Sequence, residues 1–333
     1  MEIGAGMTAL LEGAMAKILV TGGAGFIGSN LTEALLREGH SVRVLDNFST
    51  GKKENLAFEK KYPGFEIIEG DIVEQKVCRA AMEAVDYVFH EAALPSVQQS
   101  VEDPLTSNRV NVEGTLNILV AAKNAGVKRV IFASSCAIYG DDPTLPKREE
   151  MAPDPLSPYA LGKYVGERYG RLFSRLYGLE TVSLRYFNVF GPRQSPESDY
   201  AAVIPKFIDA LLRGNSPIVY GDGEQSRDFV FVGDVVRANL LAMSHGHLHG
   251  EVLNVASGKG LSLNDLLSVL GDILDSKVSP VFREPRPGDI RHSRGDGQKA
   301  KGLLDFTPTV GMKTGLEKTI AYFIRKRKET GGR

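Results

Sequence analysis

The stretch "KILVTGGAGFIG", residues 17–28, runs a short apolar segment directly into a turn punctuated by Gly22, Gly25 and Gly28. The segment that follows, Phe26–Glu38, has helical amphipathic spacing and closes at Gly39, a residue type that ends helices readily. One β-turn-α unit of this kind constrains everything after it, because a strand covered on both faces needs parallel neighbours joined by crossover helices. The glycines also let backbone approach a pyrophosphate whose charge rests on the helix N-terminus.

The rhythm repeats along the chain. "SVRVLD", "FEIIEGD", "VDYVFHEAA", "VKRVIFASS" and "LETVSLRYFN" read as strands. "GKKENLAFEKKY", "VEQKVCRAAMEA", "SNRVNVEGTLNILVAAKNAG" and "SPYALGKYVGERYGRLFSRLYG" read as the helices between them. The alternation predicts an α/β protein with a Rossmann-type doubly wound parallel sheet. From about Gly191 the alternation loosens, and Pro and Gly gather in "GPRQSPES", "RGNSPIVYGDGEQSRD" and "REPRPGDIRHSRGDG", as in a smaller, loop-rich C-terminal domain. The expected division is a dinucleotide-binding domain over 16–190, with 228–250 returning to it, and a substrate domain over 191–330. Residues 1–15 lack the basic start and long apolar run of a signal peptide and read as a disordered leader.

Composition narrows the function classes. Forty basic residues against forty-one acidic ones give a net charge of −1, so the overall balance draws the chain neither to nucleic acid nor to a membrane surface. The basic end "IRKRK" reads as a helix terminus matched to its dipole. Cys78 and Cys136 have no metal-like spacing, which fits a reducing, cytoplasmic location. His245, His247 and His249 in "HGHLHG" read as solvated histidines of a glycine-rich loop, and no metal is assigned to them.

Two sets of residues carry chemistry. Asp46, at the end of the second strand, suits ribose hydroxyls and repels a 2′-phosphate, which favours NAD over NADP. Asp71, closing the third strand, is placed to meet the adenine. Tyr159 and Lys163 stand at i and i+4 on one helix and share a face. A phenol titrates near 10 and is a poor base at neutral pH, but an ammonium and a positive nicotinamide beside it both favour the phenolate. Ser135, ending the preceding strand, is placed to share the proton of the same substrate hydroxyl. The proton then belongs to a secondary alcohol oxidised by NAD.

With "TGGAGFIG", "FHEAA", "NVEGT", "SSCAIYG", "YALGK", "LRYFNVFGPRQ", "VIP", "GDGEQSRDFVFVGD" and "PRPGDIRHS" in hand, the chain resembles the extended short-chain dehydrogenase/reductase family from about Lys17 to the C-terminal helix. Within it, the resemblance is to nucleotide-sugar 4-epimerases acting on UDP-hexoses. It implies a tightly held NAD, a UDP-sugar substrate and a homodimer formed through the Ser107–Asn124 and Ser157–Gly178 helices. Ser135, Tyr159 and Lys163 would be catalytic. The implied cofactor contacts add Phe26, Ile27, Asn47 and Ile72 to the glycine turn and the two aspartates, together with Ala92, Ala93, Asn111, Lys163 and Tyr186. The implied substrate contacts are Ser135, Asn188, Val203 and Tyr220, with Arg227 and Arg286 on the phosphates, where a guanidinium fork matches the oxygens. Asp289 and Ser293 complete this set, Ser293 lying against the hexose at C2, where a small residue leaves room for an N-acetyl group.

The chain departs from that pattern at Gly162, where serine or threonine is frequent, and at Cys136, beside the catalytic serine. Cys136 keeps a 3,5-epimerase/reductase open as an alternative, along with a UDP-glucuronate epimerase and a non-catalytic NAD sensor. The Asp-Glu pair of the family's dehydratases is missing: Cys136 and Ala137 stand there.

Overall fold

The computed structural model describes residues 15–197, 202–285, 290–329 and 331; most of the expected leader therefore lies outside the described residues. β1 (Lys17–Thr21) feeds α1 (Phe26–Arg37), β2 (Ser41–Asp46) leads to β3 (Phe65–Glu69), and α2 (Gln75–Ala81) leads to β4 (Tyr87–His90). α3 (Val97–Glu102), α4 (Pro104–Asn108) and α5 (Thr115–Ala125) precede β5 (Arg129–Ser135), and α6 (Pro158–Tyr177) crosses to β6 (Glu180–Tyr186). Beyond these come β7 (Asn188–Phe190), α7 (Val203–Leu212), β8 (Ile218–Tyr220), β9 (Ser226–Phe231), α8 (Val232–Ser244) and β10 (His249–Val255). β11 (Gly260–Ser262), α9 (Leu263–Leu274), β12 (Val281–Arg283), α10 (Gln298–Leu304) and α11 (Met312–Glu329) complete the described order.

Seven strands form one sheet in the order β3-β2-β1-β4-β5-β6-β10, with parallel pairing throughout. Its central strands read as unbroken apolar runs because both faces are covered. In β1, Ile18 and Val20 pack with Leu31 and Leu35 of α1, while Leu19 between them faces the opposite layer with Ile118 and Ala122 of α5. The strand order reverses at β1 and β4, and a crevice opens at the carboxyl ends of strands flanking such a switch point.

Two expected helices differ. "GKKENLAFEKKY" forms only two short 3₁₀ turns, Lys53–Leu56 and Glu59–Lys61, because Lys52 N and the Asn55 side chain are tied to the Ala24 carbonyl and Pro63-Gly64 follow at once. The segment expected as one helix from Ser107 is interrupted by a π turn over Arg109–Gly114 before α5 resumes. α6 runs as its sequence specifies: Ser157 caps its first turn by accepting from Ala160 N at 3.1 Å, Pro158 opens it, and left-handed Gly178 ends it.

The return to the main layer runs from Val232 to Val255, since α8 packs on α1 and β10 pairs with β6, whereas β9 lies in a small sheet with β7 and β11. The expected boundary at 228 thus cuts β9. A separate apolar cluster, including Phe190, Phe207, Leu266 and Leu316, fills the smaller lobe.

Candidate active site

Gly22, immediately after β1, has φ +68, and a Cβ there would stand 2.6 Å from Ala92 N. Glycine is required at this position both by its backbone angle and by the closeness of the loop after β4. α1 opens at Gly25 with no side-chain cap, which leaves its first N–H groups without an intrahelical partner. A cradle of this kind fits a pyrophosphate. The turn lines a cavity of about 320 Å³ that also takes in Phe26, Ile27, Asp46, Asn47, Asp71 and Ile72, and reaches Ala92, Ala93, Tyr159, Lys163 and Tyr186. Asp46 is buried, and its carboxylate accepts from Ala24 N at 2.9 Å and Phe48 N at 2.8 Å, so it shapes the glycine turn as well as facing the cavity. Burial raises its pKa against the pull of those two amides. Asp71 accepts from Asn47 Nδ2 at 2.8 Å.

Asn111 does not line this cavity. Its amide accepts from Leu94 N at 2.9 Å and donates to Leu94 O at 3.1 Å, so it fastens the loop after β4 to the π turn and positions the cavity wall from behind.

At the far end of the cavity, Lys163 is buried and donates to Ala133 O at 2.6 Å, with its Nζ 5.9 Å from the centre of the Tyr159 ring. The Tyr159 hydroxyl is hydrogen-bonded to Ser135, whose Oγ also accepts from Ala137 N at 3.1 Å. Burial pushes the Tyr159 phenol up to about 12 despite the Ser135 bond, and the Glu91 carboxylate acts in the same direction as burial. Burial pulls Lys163 below the usual lysine range, and the neighbouring Glu91 carboxylate partly restores it.

A second cavity, of about 480 Å³, shares Phe26, Ile27 and Pro95 with the first, so the two are contiguous. It is lined by Asn188, Val203, Tyr220 and Arg227. Asn188 Nδ2 donates to Asp228 O at 3.3 Å, and Arg227 donates to Ser226 O at 2.9 Å. Ser293 is buried, held by its N–H on Ser226 O at 3.0 Å, and its side chain hydrogen-bonds the Cys136 thiol, one residue from Ser135. Burial pushes that thiol up to about 12, which keeps it neutral. Arg286 and Asp289 lie outside the described residues. His247 rests 2.8 Å from Glu180 and stacks on His249; among the described residues no group of three or more metal-ligating side chains forms.

Sequence reasoning missed Glu91 and Asp228. Asp228 accepts from Ser257 N, Ser257 Oγ, Gly258 N and Gly295 N, and so pins the loops under Arg227. Its signal was an aspartate next to a candidate phosphate-binding arginine. Glu91 left a fainter one, an acidic residue in an otherwise apolar strand end.

The family model described as NAD dependent epimerase/dehydratase family matches residues 18–256. Over 312 residues the chain is 39% identical to the UDP-glucose 4-epimerase of Mycolicibacterium smegmatis, covering 93% of this chain and 99% of that protein. The structure of UDP-N-acetylglucosamine 4-epimerase from Methanobrevibacter ruminantium M1, in complex with UDP-N-acetylmuramic acid, superposes with a TM-score of 0.90 at 42% identity, over 94% of this chain and 100% of that one. UDP-glucuronic acid 4-epimerase from Bacillus cereus, in complex with UDP-glucuronic acid and NAD, matches with a TM-score of 0.85 at 32% identity, over 93% and 99% of the two chains. Strand order, glycine turn and these likenesses agree, and the chain belongs to the NAD dependent epimerase/dehydratase family, with NAD as its cofactor.

Proposed function

We propose that the protein epimerises UDP-hexoses at C4 through a transient 4-keto sugar, with Tyr159 as the base. The observation that carries this reading is the placing of Tyr159, bonded to Ser135 and four residues before Lys163 on α6, in the cavity lined by the glycine turn, beside a second cavity that shares Phe26, Ile27 and Pro95 with it. A bound NAD would supply the hydride chemistry at the sugar C4, as acceptor of the C4 hydrogen with its two electrons and then as donor of the same hydride to the opposite face of the 4-keto sugar. Tyr159 takes the proton from the sugar O4 and later returns it. Ser135 holds the same oxygen, and Lys163 favours the phenolate by its charge. Asn188 and Arg227 receive the diphosphate, with Arg286 as the second guanidinium.

For the sugar itself, the reading places Ser293, a small residue buried against Cys136, at the hexose, where a serine leaves room for an N-acetyl group. UDP-N-acetylglucosamine and UDP-N-acetylgalactosamine are then substrates, and the smaller unacetylated pair fits as well. The test is a direct assay of the four UDP-hexoses and UDP-glucuronic acid with native protein and Ser293→Tyr. The variant should lose the acetylated sugars and keep UDP-galactose, because a clash with a rigid ring exceeds the roughly 1–3 kcal/mol of ordinary hydrophobic trimming. Equal loss on both would remove Ser293 from the gate, and turnover of UDP-glucuronic acid alone would move the substrate to the uronate.

The protein is also read as a homodimer. Leu161, Leu172 and Leu176 on α6 and Val120 on α5 are exposed leucines and valine on the helices that would pair.

A further inference from the structure

Glu91 follows β4 directly and lines the same cavity as Tyr159, Lys163 and Tyr186. Its side chain is oriented by a relay from α8. The Asn239 amide holds the Tyr186 hydroxyl, with Nδ2 donating at 2.8 Å and Oδ1 3.1 Å away, and the same hydroxyl meets Glu91 Oε1 at 2.8 Å. Asn239 is itself held by donating to Val235 O at 2.9 Å. Burial raises the Glu91 carboxyl to about 7, against the pull of the Tyr186 bond and the Lys163 charge, so the group carries its negative charge on the alkaline side.

Lys163 needs such a partner. Its ammonium is buried, one N–H is used on Ala133 O at 2.6 Å, and the Phe132 ring lies 5.0 Å away. The titratable groups around it come from four directions. His90, on β4, is clamped between Thr21 at 2.7 Å and Thr115 at 3.0 Å and is kept neutral by burial. Tyr159 on α6 and Tyr186 at the end of β6 are neutral phenols raised by burial, and Cys136, acting on Tyr159, is a neutral thiol. Glu91 supplies the negative charge that acts on the ammonium.

We propose that Glu91 is a positioning residue of the proton relay: its carboxylate, aimed by Tyr186 and Asn239, keeps Lys163 an ammonium beneath Tyr159. The inference rests on the reading of Tyr159 as the base. A neutral amine at Lys163 would leave the phenolate without its cation, so loss of the Lys163 proton ends activity on the alkaline side. Removing the Glu91 charge brings that loss to lower pH.

The test is the pH profile of kcat/KM for the NAD-loaded protein, native and Glu91→Gln, with bound NAD measured in both. Glutamine keeps the shape and can still accept from Tyr186. The alkaline limb should move to lower pH by about one unit, the low end of what one close opposite charge does, with roughly tenfold lower activity on that side and no loss on the acid side, where removing the same charge eases the ionisation of Tyr159. An unmoved limb, or an equal loss at every pH as a merely structural role would give, overturns the proposal. Lys163→Arg provides a second route should the amide variant fold poorly: a guanidinium stays charged, so the limb should vanish from the remaining activity, and its persistence overturns the proposal. If the native protein epimerises no sugar, the functional reading fails first; if it does and the limb stays in place, this inference fails alone.

Discussion

Tyr159 illustrates how far one side chain depends on its surroundings. Burial holds the phenol up at about 12, the opposite of what a base at neutral pH requires, and the Ser135 bond recovers only part of this. On the proposed reading the remainder comes from charge, from the Lys163 ammonium and from the positive nicotinamide that a bound NAD would supply. Tyr159→Phe removes the proton acceptor while keeping the ring that packs there. Turnover should fall by about 10²-fold or more with bound NAD unchanged. A variant that retains near-native turnover in the same assay would take Tyr159 out of the chemistry.

At the scale of elements, α6 seats the site because it lies close on β5. A Cβ at Gly166 would come within 2.7 Å of Phe132 Cε1, and the same Phe132 ring lies 5.0 Å from Lys163 Nζ. Gly166→Ala gains about 1 kcal/mol of helix propensity but must push that buried ring, at a cost of about 1–3 kcal/mol. The clash should win, with a lower Tm and lower turnover together; a raised Tm would show that Phe132 has free space to move. Much of this scale was legible in sequence. The glycine turn, the i, i+4 spacing of Tyr159 and Lys163 and the Ser157-Pro158 helix start are local patterns, and local patterns survive folding. The π turn at Arg109–Gly114 and the collapse of the "GKKENLAFEKKY" helix were not, since both are set by contacts with distant backbone. Glu91 escaped for the same reason: its partner Tyr186 stands 95 residues away, and only the meeting of β4 and β6 ends around β5 in the sheet brings the two together.

The whole molecule places a dinucleotide cradle on the parallel sheet against a smaller lobe that closes the second cavity. The exposed apolar residues on α5 and α6 lie away from both cavities, and the account expects two chains to cover them. Light scattering should give twice the 36.2 kDa chain mass, and Leu172→Glu should return it to one chain; a native monomer would contradict the dimer. No described helix is long and apolar enough to cross a membrane. The central claim is that one molecule of NAD is used, restored and kept at this site while a sugar hydroxyl is inverted. The most direct measurement adds UDP-N-acetylgalactosamine to purified protein with no nicotinamide cofactor supplied and follows the sugar by NMR, with NAD released from a denatured sample as the companion reading. The account predicts conversion to UDP-N-acetylglucosamine up to a fixed equilibrium ratio, no net NADH, and NAD in the denatured extract. Absence of conversion of this and every other UDP-hexose, with or without saturating NAD, would contradict it.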